Sequence, residues 1–562
     1  MVSAAAVWSH LQDLRDDQFG TPLSVVDVGL IHEVKLNGPD VYVSILMFNR
    51  GRVYIDAAAS PIRQHLLRLE GVGEVVVECL WAPEWTPDRL SQKAREVLGF
   101  AAEDPVEGRM HVCARQKADA GAAPVDMRRL DGTRLCLGPR SLEVSSLPRE
   151  KFAKWWGGWR FCKRFSLEET SGIPRQAEPV HLEVHFAPGQ IREPAREVRV
   201  VEEESGVEIP CQVYGVEVDG EGQRCVVALL AQVPARARRS YLLLHGNASP
   251  ACWPPFYATE LVTRGSGWGL EIENSYYRAR LSPVMGQLRN LEFRRWGQTQ
   301  LGWEDPSPLN IIDAANDPKS KLDIAWHGED LCIHWNPDFR NQLRYRMTNW
   351  PEPPHFQVDV GPVCTRVRRW GYPVCPTHPA RAQEAVRLEV TYTFYNGLPY
   401  FAMESRLDVQ QEADILVVRN DEWLFRAAFT HSLWMMEGGE LVETPADQAV
   451  SLTQNPALVG FYHRDLGDGF ASLRLAYGAR GFPGAYDPEL LSMGTTAYGN
   501  QIWARDVFHV AEELAIQPGA VVWEHNAYLC YNAREAQGNR QAADWSRVLR
   551  APLKASTAEP GQ

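Results

Sequence analysis

The densest acid–base side chains lie in the last third of the chain. Asn420-Asp421-Glu422-Trp423 is followed by His431, and His463 stands beside Arg464 and Asp465. Tyr498, Arg505 and His509 then lead to Glu524-His525-Asn526. These residue types suit proton transfer at carbon next to a carboxylate. A His or Tyr removes the proton, an Arg or Asn neutralises the carboxylate so that the enolate-like intermediate is less costly, and a second Tyr or His protonates the leaving oxygen. Glycoside hydrolysis needs two carboxylates flanking the bond. Asp421 and Glu422 are adjacent, however, and neighbours in a regular strand face opposite ways, which favours elimination. The candidate catalytic residues are therefore Glu422, His431, His463, Tyr498, Arg505, His509 and His525, with Asn420, Trp423 and Asn526 as substrate contacts.

A metal site is the third possibility. His431, His463, His509 and Glu524 are the candidate ligands of a divalent metal ion, although their spacing is not that of a compact motif. His327-Gly328-Glu329-Asp330 with His334 forms another polar cluster, expected at a cleft rim. Cys364, Cys375 and His378 can be read as a metal loop, but Pro373, Pro376 and Pro379 favour a rigid surface turn.

The elements that must position these residues are mainly strands. From about residue 146 onward, apolar runs such as Val180–Phe186, Cys225–Ala231, Tyr241–Leu244 and Val386–Phe394 alternate with turns, and helical periodicity is scarce. This predicts β-sandwiches. Residues 1–100 differ. Helical spacing over 5–17 and 55–69 brackets the runs Ile31–Leu36 and Val41–Phe48, with a hairpin signal at Asn37-Gly38. A strand over Glu74–Leu80 and a final helix reaching Leu98 complete an α/β unit. The expected organisation is a small α/β domain at 1–100, a linker at 101–145 with one strand near Arg134–Leu137, an accessory β domain at 146–262, and a larger β domain at 263–555.

Composition narrows the class. The chain has 562 residues and a formal charge of −13, so a nucleic-acid partner is not expected. The basic runs Arg192–Arg199 and Arg366–Arg369 read as solvated strand faces. No stretch is long and apolar enough to cross a membrane, and the first residues lack a signal-peptide pattern; the expected location is cytoplasmic. The eleven cysteines include no Cys-x-x-Cys pair, against a disulfide framework or a zinc ribbon. Nineteen tryptophans suit either sugar-stacking surfaces or sandwich cores.

Within the first domain, Asp27-Val28-Gly29-Leu30-Ile31, Gly71-Val72-Gly73-Glu74-Val75 and Trp81-Ala82-Pro83-Glu84-Trp85-Thr86-Pro87-Asp88-Arg89 occur in order. This segment resembles the SufT-like and PaaD-like family of iron–sulfur assembly domains. That resemblance implies a cysteine in the loop after the second strand, but Phe48–Tyr54 contains none, and Asp16-Asp17-Gln18 replaces the usual Asp-Pro-Glu. An iron–sulfur cluster is not expected here. Arg50 and Arg52 in that loop are candidate anion contacts, against a plain scaffold kept for packing or for a protein partner.

In the remainder, Ile209–Val213, Val233–Ala235 and Tyr241–Leu244 resemble accessory β domains of carbohydrate-active proteins. Leu270–Leu281 with Gly286-Gln287-Leu288, then Val390–Phe401, Gly467–Ala471 and Ile516–Gly519, resemble a galactose-mutarotase-like supersandwich and exo-acting rhamnogalacturonan-lyase-like proteins. The resemblance implies a carbohydrate-active enzyme; the lack of a signal-peptide pattern favours an intracellular oligosaccharide or small glycoside over a polymer, and the residue types favour a lyase over a glycosidase. The alternatives are a non-catalytic iron–sulfur assembly or client-recognition factor and a carbohydrate-binding protein.

Overall fold

The computed structural model describes residues 2–15, 23–46, 59, 61–80, 89–94, 133–220, 222–247, 249, 252–267, 269–281, 288–294, 300–302, 332–333, 336–339, 355–372, 374–375, 378–382, 385–425, 429–452, 456–482, 491–495 and 501–557. The chain is multidomain and mainly β, with a small α/β unit at its start.

In that first unit, Ser3 caps the helix Ala4–Gln12 by accepting the Ala6 N–H. Strands Ile31–Asn37 and Asp40–Leu46 form the expected hairpin, turning at Gly38-Pro39, and Val75–Leu80 adds in parallel. Val7, Leu11, Val43, Ile45, Ile62 and Leu66 close the core. Asp27, Gly29 and Arg89 of the family-like motifs tie this unit together. The buried Asp27 carboxylate accepts from the Ser24 N–H, Gln12, Ser91 and Lys93. Burial raises its pKa, but the donors, led by Lys93, outweigh this and hold it at about 2. Gly29 has φ +68°, and a Cβ there would lie 2.4 Å from the Arg89 carbonyl oxygen. Only glycine accepts both constraints. Arg89 in turn donates to the carbonyls of Gly29 and Ile31. Arg50 and Arg52 lie outside the described residues.

The second unit is a sandwich of two sheets. One runs Cys211–Asp219, Gly222–Val233, Arg175–Phe186, Thr133–Leu137, and its last pair is parallel. The other runs Lys554–Thr557, Phe161–Glu168, Arg238–His245, Arg199–Glu202, Glu208–Ile209. The strand Thr133–Leu137 comes from the segment read as linker, and Lys554–Thr557 returns from the far end of the chain. Alternate residues such as Leu182, Val184, Val227 and Leu243 fill the space between the sheets.

The third unit is built on a nine-stranded antiparallel sheet in the order His355–Val360, Cys364–Gly371, Val386–Tyr395, Tyr400–Val409, Val521–Asn532, Asp468–Arg480, Leu458–Tyr462, His431–Met435, Leu441–Pro445. One face packs against a five-stranded sheet that includes Gly269–Glu273 and Tyr277–Leu281. It also packs against a six-stranded sheet that includes Ala413–Phe425 and Gln501–Ile516. Asn274, within the Leu270–Leu281 run, ties its turn to the large sheet by donating to the carbonyls of Tyr395 and Leu398. The opposite face meets the second unit and the helix Arg540–Arg550.

The basic runs are not simply solvated strand faces. Arg199 is buried and donates to the carbonyls of Arg196, Val198 and Trp253. Arg369 is fully buried on the core face, 5.8 Å from the Tyr392 ring. Cys364 is likewise buried in a strand, so it cannot open a surface metal loop. The side chains of Cys375 and His378, and all of residues 327–331 and 334, lie outside the described residues. No helix of the described residues is long and apolar enough to cross a membrane.

Candidate functional site

Strand alternation divides Glu524-His525-Asn526. Glu524 and Asn526 face the six-stranded sheet with Tyr528, whereas His525 faces the other way. The inner pair joins a sealed polar cluster. Glu524 accepts from Arg505 at 2.7 Å, from Asn526 at 3.0 Å and from Asn420. Asp421 accepts from Arg474, Ser472, Tyr528 and the Trp423 indole.

Asp421 has φ +50°, at a register shift between Asn420 and Trp423. The strand is therefore bulged there, and simple alternation does not apply across 421–422. Burial pushes the Asp421 carboxyl up, and only part of this is recovered from Arg474. Asn420, Asp421, Glu422, Trp423, Arg505, Glu524 and Asn526 are each no more than 3% exposed. A cluster so closed, with both Asp421 and Glu524 held by several donors, holds two sheets together and gives no solute a way in.

His431 and His463 lie elsewhere, at the far edge of the nine-stranded sheet. The His431 ring stacks on Tyr462 with centroids 5.1 Å apart and meets the Thr430 hydroxyl. Burial, and then Arg464, lowers its pKa. His463 Nδ1 accepts the Leu466 N–H and shapes a turn. His509 pairs with Val417 in the ladder, but its side chain lies outside the described residues, as does the whole of Tyr498. The candidate metal ligands His431, His463 and Glu524 thus do not share one place.

The face to which His525 belongs is different in character. Cross-strand register lines up Gln357, Arg368, Thr391, Glu404, His525 and Ala476 in one row. The next row is His355, Trp370, Glu389, Arg406, Trp523 and Gly478. Directly opposed side chains on one face have Cβ atoms about 5 Å apart, which brings Glu404 beside His525. Gly478 leaves room for the Trp523 ring, since a Cβ there would sit 1.8 Å from it.

The charges on this face are ordered. Arg368 grips Glu389 with two hydrogen bonds and Arg387 adds a third. Burial raises the Glu389 pKa, but Arg368, Arg387 and Arg366 overcome it and hold the carboxylate ionised. Arg406 grips Asp408 in the same two-pronged way. Arg366 is less committed: its ion pair with Asp359 spans 3.9 Å, and its guanidinium lies 5.6 Å from the Tyr214 ring of the second unit. Burial pulls its pKa down, but Tyr214, Glu404, Asp359 and Glu389 raise it overall. Glu404 and Trp523 are half-buried. A carboxylate, a buried imidazole (His525 is 6% exposed), an arginine and an indole thus meet beside a domain junction, a common setting for ligand sites.

Of these, sequence reasoning found only His525. The available signal was period-two charge in otherwise apolar strands: Arg366-x-Arg368, Arg387-x-Glu389 and Glu404-x-Arg406-x-Asp408. Such a pattern marks one polar face of a strand buried on the other.

No protein-family model matches the chain, and no curated protein matches it. Solved structures resemble it in shape. An alpha-mannosidase from Enterococcus faecalis aligns with a TM-score of 0.43 and 12% identity, covering 75% of this chain and 47% of that one. The chain thus spans about half the length of that mannosidase. A protein assigned as an aldose 1-epimerase from Klebsiella pneumoniae aligns with a TM-score of 0.33 and 13% identity, over 50% of this chain and 82% of that one. A domain of unknown function (DUF59) from Bacillus anthracis covers 17% of this chain and 90% of its own, with 22% identity and a TM-score of 0.16. None of these likenesses assigns a substrate or a reaction.

Proposed function

We propose that the polar face of the large sheet is the active site of a carbohydrate-active enzyme, and that it cleaves a small acidic glycoside by β-elimination. The observation that carries this reading is the facing pair Glu404 and His525, flanked by Arg366 and Trp523. Trp523 offers an apolar plane for a sugar ring. Arg366 binds the substrate carboxylate and lowers the cost of charge developing on the neighbouring carbon. His525 removes the proton from that carbon. The C–H electrons form the new C=C bond, the adjacent C–O bond breaks, and Glu404 in its acid form protonates the departing oxygen. The step is redox-neutral and needs no co-reactant.

Two-carboxylate hydrolysis fits less well. The second carboxylate of the two rows, Glu389, is engaged by Arg368 and Arg387, which leaves its oxygens poorly available as a nucleophile or base toward a sugar. The expected result of screening uronic-acid oligosaccharides is an unsaturated product that absorbs in the ultraviolet. His525→Ala and Glu404→Gln should each lower turnover about 10²-fold or more, the usual weight of a general acid or base. Arg366→Gln should act mainly on KM. Turnover of neutral glycosides without an unsaturated product would keep the sugar and reject elimination. Sugar binding without turnover would favour a carbohydrate-binding protein.

A further inference from the structure

We propose that Cys136, Glu183 and His185 form a binding site for a thiophilic divalent transition metal of the zinc class, on the face of the second unit's sheet that turns away from the sandwich core. The strand Thr133–Leu137 runs parallel to Arg175–Phe186, with Cys136 opposite Glu183. Leu137, Leu182 and Val184 turn into the sandwich core, so alternation turns Cys136, Glu183 and His185 outward together. One donor atom from each lies within 4.8 Å of the other two; Cys136 is exposed, and Glu183 and His185 are half-buried.

Tetrahedral zinc, with bonds of about 2.0 Å to nitrogen and 2.3 Å to sulfur, needs donors roughly 3.5 Å apart. Closing the remaining gap of about 1 Å is a matter of side-chain rotation on two fixed strands. Thiolate, imidazole and carboxylate together select zinc-like ions over magnesium or calcium. The three ligands leave a fourth position for water or an exogenous donor. His181, two residues earlier on the same face, is not a fourth ligand, because its ring nitrogens meet the hydroxyls of Tyr214 at 2.9 Å and Tyr395 at 3.2 Å. Arg224 lies opposite His185 in the neighbouring strand and is the cation a metal must displace electrostatically. A bound ion would fasten the edge strand to its sheet.

The test uses the full chain, stripped with a chelator and titrated with Co²⁺. The expected result is a near-ultraviolet thiolate-to-cobalt band that saturates at one equivalent and is displaced by Zn²⁺. Cys136→Ser should abolish the band, and His185→Asn should weaken binding at least ten-fold, both with unchanged circular dichroism. Zn²⁺ should raise the unfolding temperature of the parent chain but not of Cys136→Ser. A missing band, or one that survives Cys136→Ser, would overturn the assignment.

Discussion

At the scale of single residues, the difference between Asp27 and His525 is instructive. Both sit in runs that catch the eye in the sequence, but one is locked by its neighbours and the other is set beside a partner on a polar face. The Asp27 carboxylate joins the first helix, the loop at 24 and the segment at 91–93. Asp27→Asn should destabilise this unit by about 1–3 kcal/mol at neutral pH, the cost of disrupting a buried charged acceptor. The sign of its pH dependence follows from a folded pKa of about 2 against an ordinary 3.8. A depressed carboxyl contributes fully above its unfolded value, and that contribution is lost as pH falls through the folded value. The gap between parent and variant should stay constant down to about pH 4 and close between about pH 4 and pH 2. Hydrogen exchange of the Asp40–Leu46 amides, corrected for intrinsic rates, would measure it.

At the scale of elements, strand alternation and one bulge decide what each side chain can do. The strand character of most of the chain, the hairpin at residues 37–40 and the turns at 397, 467 and 519 were legible in the sequence, because turn residues and apolar runs are local signals. The site was legible only in part. Glu524-His525-Asn526 reads as one cluster, but a strand sends its members to two faces, and sequence cannot tell which face is sealed. Asp421 and Glu422 read as alternating, but the left-handed backbone at Asp421 bulges the strand. The rows joining Glu404 to His525, and Cys136 to Glu183, depend on the register between strands distant in sequence, which no local pattern encodes. The inner cluster has its own consequence. Asp421→Ala strands the buried Arg474 guanidinium and should cost about 3–5 kcal/mol in urea unfolding. Adding Arg474→Met should recover part of that loss, because an apolar pair of similar size needs no desolvated charge.

At the scale of the whole molecule, the second and third units are tied together by the end of the chain. The helix Arg540–Arg550 packs Ala542, Ala543, Trp545 and Leu549 against the large sheet, and the strand Lys554–Thr557 then joins the sheet of Phe161–Glu168. Arg175, from the second unit, donates to the carbonyls of Val548 and Ala551. Gln212 accepts from the N–H groups of Val363 and Cys364 across the same junction. A chain ending at Asn539 should therefore show a lowered and split calorimetric transition where the full chain shows one cooperative transition for these units. That junction also brings Tyr214 over Arg366, so the proposed active site depends on both units being docked. The most direct measurement compares ultraviolet-absorbing product from a uronic-acid oligosaccharide for the parent chain, His525→Ala and His431→Ala. The assignment of His525 as the base requires a loss of about 10²-fold or more for His525→Ala and turnover like the parent for His431→Ala, whose ring lies at the far edge of the sheet. Full activity in His525→Ala, or a loss confined to His431→Ala, would contradict it.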